Sequence, residues 1–186
     1  MMDACLDVWL RPDPEMSAPL LMNSLFAKLH RQLVALKPLQ IGMSFPGYSN
    51  DPPNLGEAMR LHGRPADLQQ LMTHDWLGGL RGYLRIADVV PVSGTHHVRV
   101  RRVQTKSSPE RLARRYRTRH GVSMDEAAAR YFSAKPEWSG LPFLTVKSRS
   151  SDQKFRLFIS QEQVEGLIPG EFNCYALSGQ ASLAWP

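Results

Sequence analysis

Only two cysteines occur in 186 residues, Cys5 and Cys174, and they stand in no CxxC or Cys/His ligand spacing. A disulfide framework and a zinc site are therefore not expected, and both thiols read as small buried apolar groups. No apolar run approaches the roughly 18 residues of a membrane span, and the first residues hold no basic stretch followed by an apolar one. A cytoplasmic protein with no membrane partner is the expectation. No GxSxG elbow is present, so an acyl-transfer serine is not indicated. Internal repeats and low-complexity segments are missing too. Acid is scarce relative to base, with 17 Asp and Glu against 23 Lys and Arg and a net charge of +6. Such a balance favours a polyanionic partner and strong salt dependence without naming the polyanion. The hydrophobic fraction of 42% is that of a globular chain able to bury a core as one domain or two small ones.

The excess base is concentrated in one place. Between Arg99 and Arg119 there are nine Lys or Arg and a single acid, Glu110. Ser108, Pro109 and Glu110 form a helix start, with a hydroxyl at the N-cap, proline at the first helical position and an acid in the first turn. The helix is predicted over about 109–119. At roughly 100° per residue Arg111, Arg114, Arg115 and Arg119 share one side with Thr118 among them, while Leu112 and Tyr116 point away. Planar, permanently charged guanidinium groups suit phosphate oxygens, so this face is read as a nucleic-acid contact rather than a merely solvated surface.

The rest of the chain predicts a scaffold. Residues 4–10 alternate as a strand, and a long helix over about 19–36 carries a wide apolar arc from Leu21 to Leu36. Strands near 39–45 and 57–62, a helix near 65–78 and a strand near 83–90 complete a βαββαβ order. That order predicts an α+β, ferredoxin-like domain over 1–92 with an antiparallel sheet. A boundary falls near 91–94, and 93–186 is expected to form a second, more basic portion. It holds a strand near 95–104, the arginine helix, a helix near 123–132, a hairpin from FLTVKS and KFRLFIS, and a strand near 171–178.

Several side chains suit chemistry on a polyanion. His30 falls about 40° beyond Phe26, at the rim of the apolar arc, where an imidazole is either structural or a proton-transfer group. Ser148 and Ser150 lie on one face of a strand exit, where serines usually bond the backbone. Phe155 sits between Lys154 and Arg156, and either stacks on a base or joins a core face with Leu157 and Ile159. Tyr175 reads as a core aromatic or as an orienting group. By period two Arg102 and Gln104 share a strand face, and together they match the hydrogen-bonding edges of two adjacent purines.

The segments WLRPDPE, LFAKLH, RVQTKSSPERLARR, LPFLTVKSRS, KFRLFI and FNCYALS, in order over nearly the whole chain, resemble the CRISPR-associated endoribonuclease of subtype I-F. The resemblance implies a C-terminal portion that is a distorted ferredoxin-like fold bearing the arginine-rich helix. It implies catalytic residues at His30, Ser148 and Tyr175, and an enzyme that cuts precursor CRISPR RNA at the 3′ base of a repeat hairpin without metal or cofactor. The nucleophile would be a 2′-hydroxyl, leaving a 2′,3′-cyclic phosphate and a 5′-hydroxyl. His30 would transfer the proton, Ser148 would hold the ribose and Tyr175 would orient the imidazole. Arg102 and Gln104 would read purines at the stem base, Phe155 would stack on the terminal base pair, and Arg114, Arg115, Arg119 and His120 would line phosphates. A-form major grooves are too deep and narrow for general base readout, so the helix is expected to read shape and phosphate. The partners implied are the repeat RNA hairpin and the other subunits of a type I-F guide-RNA complex. Thr118 and Ala113 depart from the arginines expected at their positions, so that either the groove contact weakens or the ridge shifts to Arg117. A non-catalytic hairpin-binding subunit is the alternative reading.

Overall fold

A computed structural model describes residues 2–37, 39–92, 94–104, 109–131, 140–147 and 153–185. In chain order the elements are β1 (Ala4–Leu10), α1 (Ala18–Ala35), β2 (Gly42–Ser44), β3 (Ser49–Asn50), β4 (Pro53–Asn54), β5 (Ala58–Gly63), α2 (Pro65–Thr73), β6 (Leu84–Ile86), β7 (Val90–Pro91), β8 (His96–Val103), α3 (Pro109–His120), α4 (Met124–Tyr131), β9 (Phe143–Lys147), β10 (Lys154–Val164) and β11 (Leu183–Trp185). The architecture is α+β, and every strand pairing is antiparallel. One sheet has the order β2-β5-β1-β6, with β7 also paired to β1, and a second has the order β11-β8-β10-β9.

Alternation along β1 divides the first sheet into two unlike faces. Ala4, Leu6, Val8 and Leu10 enter the core, and the register Leu6↔Leu61 and Val8↔Met59 sets apolar partners beside them. The helix α1 adds Leu21, Met22, Leu25, Phe26, Leu29 and Leu33, which follow the 3.6-residue period of a helix laid on a core. Before it, the Asp13 carboxylate accepts the N–H groups of Glu15 and Met16 at 2.9 Å each, turning the chain into the helix. Leu144, Val146, Leu157, Ile159, Val98 and Val100 of the second sheet join the same contiguous core.

The other face of the first sheet is polar and partly covered. Asp7 and Arg60 form a two-pronged pair, with Nε to Oδ1 at 2.6 Å and Nη2 to Oδ2 at 2.8 Å, and the Arg60 guanidinium lies 5.0 Å from the centroid of the Trp185 ring. Beside them His62 is buried, its Nε2 2.7 Å from Ser44 Oγ. Burial, followed by the charge of Arg60, pushes the His62 imidazole down to about 3. Gly42 lets the C-terminal segment lie against β2, because a Cβ there would meet Leu183 Cδ2 at 2.5 Å and Phe172 Cε1 at 2.9 Å. Gln161 of β10 bonds Phe45 as another strand would, accepting its N–H at 2.8 Å and donating to its carbonyl at 2.9 Å.

Three expectations from pattern are corrected. The helix expected to 78 ends at Thr73, and Trp76, Leu77 and Leu80 are buried through turns instead. The strand expected over 83–90 is split into β6 and β7, separated by residues 87–89, where the Ala87 N–H donates to the Asp7 carbonyl at 2.9 Å. No strand forms over 171–178; a turn takes its place, and the closing strand is β11.

The chain divides into two compact units, Met1–Val103 with Leu141–Pro186, and Gln104–Gly140. The smaller is a helical hairpin. Gly121, at φ +67, ends α3 by donating its N–H to the Arg117 carbonyl at 2.8 Å, and Ser123 Oγ caps α4 by accepting the Glu126 N–H at 3.1 Å. Tyr116 and Tyr131 meet edge to face across the hairpin, at 6.1 Å between centroids.

Candidate active site and nucleic-acid interface

The apolar arc of α1 runs through Leu29 and Leu33, and His30, half-buried, lies at its margin. Its Nδ1 lies 2.8 Å from the backbone carbonyl oxygen of Cys174. A carbonyl can only accept, so Nδ1 is the donor in that bond, and the lone pair or second proton of the ring belongs to Nε2. The Tyr175 ring stacks on the imidazole at 4.2 Å between centroids and 8° between planes. Phe26, one turn earlier on α1, lies parallel to both rings, 6.4 Å from His30 and 6.3 Å from Tyr175. The imidazole is thereby held in plane by stacking and in rotation by one hydrogen bond, an arrangement able to present a single nitrogen for proton transfer.

The turn that supplies both contacts is made locally. Asn173 Oδ1 accepts the Tyr175 N–H at 2.8 Å, its carbonyl accepts the Ala176 N–H at 2.8 Å, and Ala176 adopts φ +57. The Ala176 carbonyl then accepts the Met43 N–H of β2 at 2.9 Å, which moors the turn to the first sheet.

On the second sheet three arginines of β8 meet different fates. Arg99 and Arg101 share a face with Glu162, and Arg99 bonds its Oε1 at 2.9 and 2.7 Å while Arg101 approaches it at 3.6 Å. Arg102 points to the opposite face, where its guanidinium lies 5.7 Å from the centroid of the Phe155 ring. Phe155 is half-buried against the core between exposed Lys154 and Arg156, so it is part core and part surface. Gln104 is exposed. Ser148 and Ser150 lie outside the described residues, as does the side chain of Arg111.

Along α3, Arg114, Arg115, Arg117, Thr118, Arg119 and His120 are exposed, whereas Ala113 is buried. Ala113 is thus a packing position in this chain. The Thr118 hydroxyl donates to the Arg114 carbonyl at 3.0 Å, so its own helix occupies it. His120 stacks over Tyr116 at 4.3 Å between centroids, and Arg130 of α4 covers the same ring at 4.9 Å.

Pattern reading missed the Cys174 carbonyl, Asn173 and Phe26 as parts of the His30 environment. A backbone acceptor leaves no mark on composition, and Phe26 reads only as core. The one visible signal was an asparagine two residues before Tyr175, the spacing of a side chain that bonds its own backbone. Among the described residues no group of three or more His, Cys, Asp or Glu gathers to hold a metal ion, and no helix is long and apolar enough to cross a membrane.

The profile of a protein family described as CRISPR-associated protein (Cas_Csy4) matches residues 5–185. The chain belongs to that family. A Csy4 relative from Pseudomonas aeruginosa (strain UCBPP-PA14), named CRISPR-associated endonuclease Cas6/Csy4, is 43% identical over 187 residues, covering 99% of this chain and all of its own. A second relative with the same name, from Escherichia coli (strain UTI89 / UPEC), is 40% identical over 186 residues with the same coverage. Csy4 membership thus extends over essentially the whole chain, including the turn at 173–177 and the arginine helix.

Proposed function

We propose that this protein is a metal-independent endoribonuclease that binds the repeat hairpin of precursor CRISPR RNA, cuts it at the 3′ base of the stem, and stays bound as the hairpin-capping subunit of a type I-F guide-RNA complex. The observation that carries the proposal is His30, whose Nδ1 is committed to the Cys174 carbonyl while Tyr175 covers its ring, leaving Nε2 for proton transfer. In this reading the 2′-hydroxyl of the upstream nucleotide attacks the scissile phosphorus, its proton leaves through a base, and the 5′-oxygen departs with a proton. The products are a 2′,3′-cyclic phosphate and a 5′-hydroxyl. His30 Nε2 moves the proton, Tyr175 fixes the ring, and Ser148 holds the ribose.

Recognition follows from the remaining residues. Arg102 is the strand arginine not engaged with Glu162, and with Gln104 it reads purines at the stem base while Phe155 stacks on the terminal pair. Arg111, Arg114, Arg115, Arg119, His120 and Ser150 meet phosphates. The strand order β2-β5-β1-β6 with two crossing helices supports a ferredoxin-like fold for 1–92, and 93–186 is the RNA-recognition portion. The relatives' shared name, CRISPR-associated endonuclease, supports the enzyme over a silent hairpin binder.

The test is cleavage of an end-labelled CRISPR repeat hairpin in excess EDTA. One cut at the stem base is expected, lost when the nucleotide before it is 2′-deoxy and lost in His30→Ala with affinity retained. Tight binding without a cut by the wild-type protein would make it a non-catalytic hairpin binder.

A further inference from the structure

The 173–177 turn bears both contacts to His30, yet its backbone is not one the chain adopts unaided. Ala176 lies in the left-handed region at φ +57, which costs an L-residue on the order of 1–2 kcal/mol. One residue answers that strain from inside the turn. The side chain of Asn173 faces two N–H donors, Tyr175 at 2.8 Å and Leu177 at 3.4 Å, so the atom presented there is its oxygen. The backbone of Asn173 also closes the turn from both ends. Its carbonyl accepts the Ala176 N–H at 2.8 Å, and its N–H donates to the Leu177 carbonyl at 3.0 Å. With the Met43 N–H on the Ala176 carbonyl, the segment between these anchors has one orientation, and in it the Cys174 carbonyl is aimed at His30 Nδ1.

A neutral imidazole in water exists as two tautomers and favours the proton on Nε2. Such a ring has no lone pair at Nε2 and cannot accept a proton there. The Cys174 carbonyl selects the other tautomer, because only a protonated Nδ1 can donate to it. Whatever holds that carbonyl therefore sets the chemistry of the free nitrogen without touching it.

We infer that Asn173 is a positioning residue for the reaction at His30: its side-chain oxygen holds the 173–177 turn so that the Cys174 carbonyl fixes the Nδ1–H tautomer and leaves Nε2 for proton transfer. The inference rests on the proposed role of His30 and adds a residue that acts only through it. Asn173 is itself exposed, so truncating it opens no cavity.

The experiment compares Asn173→Ala, Asn173→Gln and Asn173→Asp in the full chain. Single-turnover cleavage of the repeat stem-loop RNA is measured alongside RNA affinity, thermal midpoint and the ¹⁵N spectrum of the His30 ring nitrogens in the free protein above neutral pH. Asn173→Ala and Asn173→Gln, which remove or displace the acceptor, are expected to slow cleavage roughly 10- to 100-fold, the scale of a misplaced reacting group. RNA affinity should stay close to wild type and the midpoint should fall by no more than a few degrees, while the His30 signature moves toward Nε2–H. Asn173→Asp keeps an oxygen in the same place and is expected to restore both the rate and the Nδ1–H signature. The inference is overturned by wild-type cleavage in Asn173→Ala, by slow cleavage with the Nδ1–H signature intact, or by an Asn173→Asp protein that restores neither. Normal cleavage by His30→Ala would instead defeat the reading of His30, and the ring-nitrogen spectrum would still decide whether Asn173 sets the tautomer.

Discussion

Two histidines show how placement decides what an imidazole does. His30 lies at the margin of an apolar arc, with Nδ1 bonded to one carbonyl and the ring covered by Tyr175. His62 is buried, at 1% exposure, bonded to Ser44 and pushed down to about 3 by burial and by Arg60. Its folded value lies below the unfolded value of about 6.5, so between the two only the unfolded chain takes up the proton. The stabilisation from keeping His62 neutral is complete above about pH 6.5 and is lost progressively as pH falls toward 3, by a few kcal/mol in order of magnitude. The urea midpoint is therefore expected to fall steeply over that window. In His62→Gln, whose amide can still bond Ser44, the fall should be shallower, and coincident pH profiles for the two proteins would remove His62 as the cause.

The secondary elements that carry the proposed recognition residues each expose one face and bury another. The face of β8 that holds Val98 and Val100 in the core continues to Arg102, while the reverse face commits Arg99 and Arg101 to Glu162. In α3, Ala113 and the tyrosine contact to α4 mark the packed side, and the basic residues from Arg114 to His120 are exposed. If these meet phosphates, Arg119→Ala should weaken hairpin binding and lower the slope of log affinity against log salt by roughly one counterion, with the cut site unmoved. A titration series at several salt concentrations measures this, and an unchanged slope would take Arg119 off the RNA.

Across the larger compact unit, the first sheet is tied to the second by polar as well as apolar contacts. Gln161 substitutes for a strand by bonding both backbone groups of Phe45, and the Tyr48 hydroxyl donates to the Ile159 carbonyl at 3.2 Å. Burial holds the Tyr48 hydroxyl above its ordinary value, which keeps it a donor. Replacing Gln161 by leucine keeps the volume but strands the Phe45 N–H and carbonyl. The expected cost is about 1–3 kcal/mol in urea unfolding, with the RNA cut site unchanged, and an unaltered midpoint would mean that water satisfies both groups.

The long periodic elements were legible from residue order alone. The apolar arc of α1, the alternation of β1 and β10 and the placement of Arg102 opposite Arg101 follow from periods of 3.6 and 2, and the proline start of α3 from the chemistry of a helix N-terminus. The family was legible too, as a resemblance carried by six separated motifs. Short elements and the environment of His30 were not legible. The segment 171–178 has the composition of a strand, yet Asn173 captures its N–H groups before a neighbour can pair with them, and the left-handed Ala176 completes a turn. His30 and Cys174 are 144 positions apart, and the acceptor is a backbone oxygen that every residue possesses. Local order fixes which face a side chain takes, because that depends on geometry repeated within a few residues. Which carbonyl meets which imidazole depends on how distant segments close on one core, and only the folded chain decides it.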